Sequence, residues 1–350
     1  MKINFIITLL LSSIVFTSCK EEDFLTSPST DELFHLKNEE YLIPIRVRGN
    51  TASGKIILFV QGGPGSNTLD FAEIDYPGWK KTLEKEYAVA YYDQRGTGNR
   101  QGNFKLEQIS VKTYVDDLHH IASFLSTAYN AEIIMMGHSF GGRLTYRYML
   151  AHPTDGIPNK YISVNGPGTS DGDTLRWEFR RGFLRNTAIL EISKDKNVEE
   201  WDGVLSWLST RPKIETVADK IQWNHYIDQL VYKYYSEKSL SFKNYFNVLF
   251  SSPYNPITAF LNEGIIDDIR WKLIMDMASF NLTDKLSGID QDILLITGRY
   301  DDVCPPEEMN YVFNNISSSS KKLEIIENAG HESFNHQPEE FMNLIINYIK

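Results

Sequence analysis

The sequence predicts an α/β fold in which helices cover both faces of a mostly parallel sheet. From about residue 41 onward, short apolar runs alternate with segments whose apolar residues recur at helical spacing, which is typical of strand-helix-strand units. Residues 56–60 and 88–92 are continuously apolar, as expected for strands buried on both faces. A chain of 350 residues also exceeds the roughly 250–300 residues that one core usually organises, so we expect a second, smaller unit.

The order of elements along the chain supports this fold. Residues 111–128 carry apolar side chains at helical spacing, among them Val115, Leu118 and Ile121. A last amphipathic helix is expected at 338–349. Strands are predicted at 41–48, 56–60, 88–92, 133–136, 161–164, 293–297 and 323–326.

The character of the sequence changes between the predicted strands 161–164 and 293–297. Residues 168–286 contain five of the six tryptophans, many tyrosines and scattered acidic residues in helix-like segments. This composition indicates a helical cap that is inserted into the α/β core. The predicted core therefore has two parts, 33–167 and 287–350, which the cap separates.

The first residues are predicted to direct export and not to belong to the fold. Lys2 precedes the apolar stretch 3–16, which is too short for a stable transmembrane anchor and suits a signal peptide over residues 1–18. Small residues then precede Cys19, as at bacterial lipoprotein cleavage sites. We therefore expect a lipidated Cys19, a polar tether over 19–32, and a cell-envelope protein held at the membrane by its lipid anchor only. The alternative is ordinary signal cleavage with an incidental cysteine.

Charge and cysteine content argue against two classes of protein. The formal net charge of −11 and the isoelectric point near 5.3 disfavour nucleic-acid binding, because that affinity depends on clustered lysine and arginine. The chain has two cysteines, Cys19 and Cys304, so a disulfide framework cannot hold the fold together. The hydrophobic core must therefore supply the stability.

A G-x-S-x-G motif lies where a strand is predicted to pass into a helix. Residues 137–141 read GHSFG, directly after the strand 133–136 and before the helical segment 142–150. In α/β-hydrolases this context forms the nucleophile elbow, a tight turn that presents a serine on strained backbone between glycines. We therefore expect Ser139 to be a nucleophile, with the helix N-terminus beside the developing negative charge.

The base and the acid are expected late in the chain, because this fold places them in the order serine, acid, histidine. His331 follows the last predicted strand within a loop, whereas His336 directly precedes the final helix, where a surface or capping role is expected. We assign the acid to Asp301, with Asp302 as the alternative, because Asp301 stands three residues after Gly298 at a strand end. Its carboxylate would fix the tautomer of the imidazole and stabilise the imidazolium.

A glycine-rich loop is expected to complete the site. Residues 61–65 read QGGPG and follow the predicted strand 56–60. Acyl transfer concentrates negative charge on one oxygen, which two preorganised backbone N–H groups can stabilise. We assign these oxyanion donors to Gly63 and Phe140. Taken by itself, the loop is more typical of a plain turn, and its place beside the nucleophile elbow favours the oxyanion role.

Five motifs, in this order along the chain, resemble the proline iminopeptidase branch of the α/β-hydrolases. The resemblance implies a serine aminopeptidase whose cap glutamates, in a tryptophan-rich motif, bind the free α-amine of the substrate. Trp177 and Glu178 are the candidates for that contact in this sequence. Gln61 stands where the family usually has histidine. The motifs are QGGPG at 61–65, DQRGTG at 93–98, GHSFGG at 137–142, GRYDDVCP at 298–305 and AGH at 329–331.

Neither a cofactor nor a metal is predicted. His119 and His120 lie close to Asp116 and Asp117, but adjacent residues on a helix point in different directions. We interpret this group as a solvated helix face.

Three functions remain open at this point. The first is a serine aminopeptidase that releases N-terminal residues from short peptides. The second is a carboxylesterase or amidase for small apolar acyl substrates, which would use the same triad without amine recognition. The third is a ligand-binding surface protein with little turnover. In each case the partner is a small peptide or a small acyl molecule.

Overall fold

A computed structural model of the chain confirms the predicted α/β class, because eight strands form one mostly parallel sheet flanked by helices. The predicted signal peptide and Cys19 lie outside the residues that the structure describes. Those residues are 26–38, 41–75, 77–97, 105–169, 174–214, 216–235 and 263–350.

The strands follow the order β1-β2-β4-β3-β5-β6-β7-β8 across the sheet. The pairs β1·β2 and β2·β4 are antiparallel, and every pair from β4 to β8 is parallel. The carboxyl ends of the parallel strands therefore meet at one edge, where ligands bind in open sheets of this kind. The strands are β1 (Thr30–Asn38), β2 (Tyr41–Gly49), β3 (Lys55–Val60), β4 (Ala88–Tyr92), β5 (Glu132–His138), β6 (Lys160–Val164), β7 (Ile293–Gly298) and β8 (Lys321–Ile326).

Helices connect the strands and cover the sheet. The longest helix of the core begins where the side chain of Ser110 accepts a hydrogen bond from the backbone N–H of Thr113, and it ends at Asn130 in the left-handed conformation. The helices are α1 (Leu69–Ile74), α2 (Leu83–Glu86), α3 (Val111–Tyr129), α4 (Phe140–Ala151), α5 (Thr174–Ser193), α6 (Val198–Ser209), α7 (Val217–Tyr226), α8 (Glu263–Ala278), α9 (Pro306–Asn315), α10 (Ser333–His336) and α11 (Pro338–Ile349).

The apolar strand β3 shows how the core is built on both faces of the sheet. Ile56 belongs to one hydrophobic cluster with Leu118 of α3, whereas Ile57 and Phe59 belong to a second cluster with Phe341 of α11. Successive side chains of a strand point to opposite faces, so a strand between two helical layers must be apolar throughout. Because the strands are packed on both faces, their carboxyl ends are held in defined positions.

The N-terminal boundary of the fold differs from the prediction. Residues 19–32 were expected to form a polar tether, but β1 begins at Thr30, which pairs with Gly49 of β2. Phe34 and Leu36 of this strand are buried, while the polar residues His35 and Lys37 that alternate with them are exposed. The strand lies at the edge of the sheet, where polar side chains are favoured, so its composition resembles that of a tether. Residues 30–32 therefore belong to the sheet and not to the predicted tether.

Helices α5 to α8 lie between β6 and β7 in the chain, within the range predicted for the cap. Side chains from this region form a third hydrophobic cluster that includes Phe183, Trp201 and Trp223. The cap boundaries stay a prediction. No helix among the described residues combines the length and the apolar composition that crossing a bilayer requires.

Candidate active site

Ser139 occupies a strained turn between β5 and α4. Its backbone angles, φ 54° and ψ −120°, are rarely adopted by a residue with a side chain. A Cβ at Gly137 would collide with the carbonyl of Gly141, and a Cβ at Gly141 would collide with that of Val60. The turn therefore needs glycine on both sides of the serine, which is why the G-x-S-x-G spacing predicts it.

The structure brings Ser139, His331 and Asp301 together. Oγ of Ser139 lies 2.9 Å from Nε2 of His331. Nδ1 of His331 lies 3.1 Å and 3.0 Å from the two carboxylate oxygens of Asp301. Ser139 follows β5, Asp301 follows β7 and His331 follows β8, so the carboxyl ends of three parallel strands meet at this point.

The Asp301 carboxylate is fully buried and held by several donors. Its Oδ1 accepts hydrogen bonds from the backbone N–H groups of Val303 at 2.8 Å and Cys304 at 2.9 Å. Its Oδ2 accepts a bond of 2.6 Å from the side-chain amide of Asn165. Burial acts to raise the pKa of Asp301, but the charge and hydrogen bond of His331, with these donors, hold the pKa below its usual value. The acid is therefore ionised beside the imidazole.

Asn165 is a residue of the site that none of the sequence motifs identifies. This residue directly follows β6, is fully buried and has a φ of 51°. Its side-chain oxygen accepts a hydrogen bond of 3.0 Å from Oγ of Ser333, which fixes the orientation of the amide toward Asp301. An asparagine before glycine at a strand end is a recognisable signal for a residue at positive φ. That signal does not reveal that the side chain contacts Asp301 from the neighbouring strand end.

The glycine-rich loop lies beside the serine. Gly63 and Phe140, the predicted oxyanion donors, both line the pocket that contains Ser139. The loop approaches so closely that a Cβ at Gly62 would lie 2.9 Å from Cβ of Ser139. Glycine at this position therefore permits backbone donors to approach the reacting oxygen.

Gln94, from the loop after β4, holds the glycine-rich loop in place. Its side-chain oxygen accepts a bond of 3.2 Å from the N–H of Gly65, and its side-chain nitrogen donates to the carbonyl of Gln61 at 3.0 Å. The Gln61 side-chain oxygen, at the position where the resembling family usually has histidine, is buried without a hydrogen-bond partner among the described residues. Gln94 thus joins the two ends of the loop.

Comparisons with known proteins show what this chain is similar to. A family model described as serine aminopeptidase, S33, matches residues 80–162, which include Ser139. The proline iminopeptidase of Lactobacillus acidophilus is 24% identical over 301 residues, which cover 86% of this chain and 92% of that protein. The crystal structure of a proline iminopeptidase from Mycobacterium smegmatis matches with a TM-score of 0.59 at 16% identity, over 91% of this chain and 97% of that one. The chain has the α/β-hydrolase fold.

The resemblance to the proline iminopeptidase branch is thereby confirmed, and the fold extends beyond peptidases. An esterase from Exiguobacterium antarcticum matches this hydrolase with a TM-score of 0.54 at 17% identity, over 88% of this chain and 96% of that one. Similarity at this level of identity shows a common fold. It does not choose between peptides and esters as substrates.

Two histidines beside His331 have other roles in the hydrolase. Nδ1 of His336, for which a surface or capping role is predicted, accepts a bond of 3.1 Å from the N–H of Gly330, and burial lowers the pKa of His336 to about 4. Nε2 of His138 donates to the carbonyl of His331 at 3.0 Å, and burial lowers the pKa of His138 to about 3. Both side chains hold the loop that carries His331.

The pKa of His331 is shifted in the opposite direction, to a higher value. Burial acts to lower its pKa, but the charge and hydrogen bond of Asp301 outweigh this effect, and the pKa lies above its ordinary value. Asp302 does not contact the imidazole through a hydrogen bond. It lies 3.5 Å from the guanidinium of Arg180, and burial together with the charge of Asp301 raises its pKa. The geometry therefore favours Asp301 over Asp302 as the orienting acid.

The structure does not bring Trp177 and Glu178 to the pocket around Ser139. Trp177 packs edge-on against Trp223, with ring centroids 6.1 Å apart, and Glu178 is exposed. Arg176 of the same helix lines the pocket instead. Residues on an α-helix are rotated by about 100° from one to the next, so Glu178 points away when Arg176 points inward. Glu178 is therefore not placed in the pocket for the expected amine contact.

The groups considered for metal binding lie elsewhere. Asp117, expected on a solvated face, is buried and forms a salt bridge of 2.6 Å with Arg95. His119 stacks on His152 with ring centroids 4.2 Å apart, and Nδ1 of His152 lies 2.7 Å from Oδ2 of Asp155. Among the described residues these last three could ligate a metal, but none of them lines the pocket at Ser139.

Proposed function

We propose that this hydrolase is a serine aminopeptidase of the proline iminopeptidase type, which releases N-terminal residues from short peptides. The observation that carries the proposal is the hydrogen-bonded series from Ser139 through His331 to Asp301. The relatives that cover most of the chain support the peptidase class.

Ser139 attacks the carbonyl carbon of the first peptide bond. As its Oγ approaches, Nε2 of His331 takes the hydroxyl proton across the distance of 2.9 Å. Asp301 holds the other imidazole nitrogen and stabilises the imidazolium, because its carboxylate stays ionised. His331 then gives the proton to the leaving amine. Water then attacks the ester formed with Ser139, again with His331 as base, and this releases the N-terminal residue and restores the serine.

The oxygen of the tetrahedral intermediate carries the developing negative charge. The backbone N–H groups of Gly63 and Phe140 are the proposed donors to this oxygen, and Phe140 is also the first residue of α4. Partial positive charge at the start of a helix adds to their effect.

The test is turnover by the purified protein of prolyl and alanyl amides beside short acyl esters. We expect hydrolysis of at least one aminoacyl amide, and its loss in Ser139→Ala. Ester turnover without any aminoacyl-amide turnover would reject the peptidase.

A second candidate function is a carboxylesterase or amidase for small apolar acyl groups. It is favoured by one observation: the described residues that line the pocket include Ile274 and Met277 but no carboxylate that could hold a free amine. The same substrate panel separates the two candidates, because only the peptidase requires the free α-amine. Acetylation of that amine should abolish peptidase turnover and leave an esterase unaffected.

We further propose that the protein is exported and anchored to the cell envelope through lipid on Cys19. The support is the sequence of residues 1–19. Expression in a bacterial host with a clickable fatty acid should label the wild type and not Cys19→Ala. Ordinary signal cleavage would leave both proteins unlabelled.

A further inference from the structure

A second group of polar side chains lies at the far end of α4 from Ser139. His119 belongs to α3, His152 directly follows the last residue of α4, and Asp155 lies in the loop that leads to β6. The helix α4 begins next to Ser139 and has 12 residues, so its end lies about 18 Å from the serine. The group is therefore separate from the catalytic residues.

Side chains from the two helices and the loop converge on one carboxylate oxygen. Oδ2 of Asp155 lies 2.7 Å from Nδ1 of His152 and 3.8 Å from Nδ1 of His119. The two imidazole rings are parallel, with centroids 4.2 Å apart and an angle of 2° between their planes. One possible ligand atom of each residue lies within 4.8 Å of those of the other two. Two imidazole nitrogens thus face the same carboxylate oxygen.

These distances are close to those around a bound metal ion. Zinc lies about 2.0–2.1 Å from an imidazole nitrogen and about 2.0–2.2 Å from a carboxylate oxygen, so tetrahedral ligand atoms are about 3.3 Å apart. The distances from Oδ2 of Asp155 to the two Nδ1 atoms fall on either side of this value, and each differs from it by about 0.6 Å or less. Small movements of side chains at the surface would therefore allow one ion to contact all three atoms.

Tyr148 holds His119 and the loop of Asp155 in place. Its hydroxyl donates a hydrogen bond of 2.8 Å to the carbonyl of Ile157, which belongs to the same loop. Because that hydroxyl proton is used, the oxygen can only accept a bond from Nδ1 of His119, 3.0 Å away. The loop is thereby fastened to α4, and Nδ1 of His119 is directed toward it.

A metal ion would take the place of hydrogen atoms in this group. The contacts of His119 with Tyr148 and of His152 with Asp155 each need a hydrogen on Nδ1 of the histidine. When an ion binds both Nδ1 atoms, each neutral imidazole carries its hydrogen on Nε2 instead. A histidine that is protonated on both nitrogens gives one proton to solvent.

The ligand types and their exposure suit zinc. Two neutral imidazoles and one carboxylate are ligands that zinc prefers, and water can fill the fourth position. The side chains of His119 and Asp155 are 38% and 39% exposed, and that of His152 is 20% exposed. An ion and its water ligand can therefore reach the group from solvent.

We propose that His119, His152 and Asp155 form a zinc-binding site that fastens the loop after α4 to helices α3 and α4. This loop leads into β6, which ends at Val164, directly before Asn165. The bound ion stabilises the protein, because an ion that binds the folded state and not the unfolded chain shifts the folding equilibrium. The inference does not depend on which substrate Ser139 attacks.

Calorimetric titration of the purified protein, without an affinity tag and freed of metal by a chelator, measures zinc binding. We expect saturable binding of one zinc ion per chain at this site. At a free zinc concentration of 100 times Kd, the Tm should rise by about 4 °C, given an entropy of unfolding of about 2.1 cal/mol/K per residue. Calcium should cause no such rise, because it prefers oxygen ligands.

Single substitutions identify the ligands. His119→Ala and Asp155→Asn should each raise the Kd for zinc by at least about tenfold and remove most of the rise in Tm. His120→Ala and Asp116→Asn are the matched controls, because they change the same residue types on α3 outside the group, and they should leave Kd within about threefold. Each variant is compared with its own Tm without metal, so a loss of stability caused by the substitution itself does not affect the result.

An absence of zinc binding by the wild type would overturn the inference. So would zinc binding that His119→Ala and Asp155→Asn leave unchanged, because the ion would then lie elsewhere on the chain. Cobalt(II), whose visible absorption depends on its ligands, gives a second measurement. Its absorption band in the wild type should be lost in both variants, and a band that persists in them would contradict the site.

Discussion

The side-chain amide of Asn165 donates a hydrogen bond of 2.6 Å to Oδ2 of Asp301. Two backbone N–H groups bind Oδ1 of the same carboxylate, and His331 faces both oxygens. The acid is therefore held from two neighbouring strand ends, β6 and β7, before any substrate arrives. Preorganisation of this kind keeps the imidazole in the orientation that proton transfer requires.

Asn165→Gly tests this contact without introducing backbone strain, because glycine tolerates the positive φ at this position. We expect kcat to fall by about 10- to 100-fold, since a hydrogen bond to a charged group is lost. Steady-state kinetics give kcat, and thermal unfolding checks that the variant is folded. A folded variant with kcat within twofold of wild type would exclude a positioning role.

Replacement of the two aspartates should have unequal effects. Asp301→Asn removes the charge that holds the His331 tautomer, and kcat should fall by about 10⁴-fold. Asp302→Asn loses a charge that lies 3.5 Å from Arg180, and kcat should stay within about tenfold of wild type. Parallel kinetics of the two variants decide the assignment, and the reverse order would give the acid to Asp302.

The pH profile should report the raised pKa of His331. The imidazole must be neutral to accept the Ser139 proton, so activity falls as the pH drops through the pKa of His331. Because Asp301 raises that pKa, the acid limb of kcat/KM should have its midpoint above the ordinary histidine value of about 6.5. Asp301→Asn should move the midpoint to lower pH. A midpoint that is unchanged in this variant would contradict the coupling.

The two C-terminal histidines should also differ. His331→Ala removes the base and should lower kcat by several orders of magnitude. His336→Ala removes the acceptor for the N–H of Gly330, next to His331, so we expect a loss of no more than about tenfold. Kinetics of both variants under one condition measure the difference. A larger loss in His336→Ala than in His331→Ala would reverse the assignment.

The free energy of unfolding should depend on the buried ion pair between Arg48 and Glu84. Arg48 lies 2.6 Å from Glu84, and the two side chains are 6% and 4% exposed. Arg48→Ala leaves the buried Glu84 carboxylate without its counter-ion, bonded to the Tyr91 hydroxyl, and should lower the free energy of unfolding by about 3–5 kcal/mol. Lys112→Ala breaks the ion pair with Asp116, whose side chains are 81% and 50% exposed. This change should alter the free energy of unfolding by less than about 0.5 kcal/mol. Urea unfolding compares the two, and equal losses would contradict this explanation.

Much of the fold could be predicted because its signals are local. The strand β3 is apolar throughout since both of its faces are covered, and Ser139 follows β5 in a turn that only glycine neighbours allow. Asp301 and His331 are predicted from the order serine, acid, histidine and from their places after the last two strands, with Asp302 left open as the acid. Parallel strands bring such positions to one edge of the sheet, so the chain order narrows the choice to these two loops.

Features that depend on packing across the chain could not be predicted in this way. Asn165 gains its role from Asp301, which lies 136 residues further along. The choice between Arg176 and Glu178 at the pocket depends on how α5 is rotated against the core, and composition does not reveal that rotation. The strand that begins at Thr30 has polar residues on its outer face, so only its pairing with β2 distinguishes it from a tether.

The most direct test of the central claim is covalent labelling with a fluorophosphonate, read by intact mass and by the modified peptide. We predict one adduct on the wild-type chain, located at Ser139, no adduct on Ser139→Ala, and strongly slowed labelling of His331→Ala. An unlabelled wild type, or equal labelling of wild type and Ser139→Ala, would contradict the account.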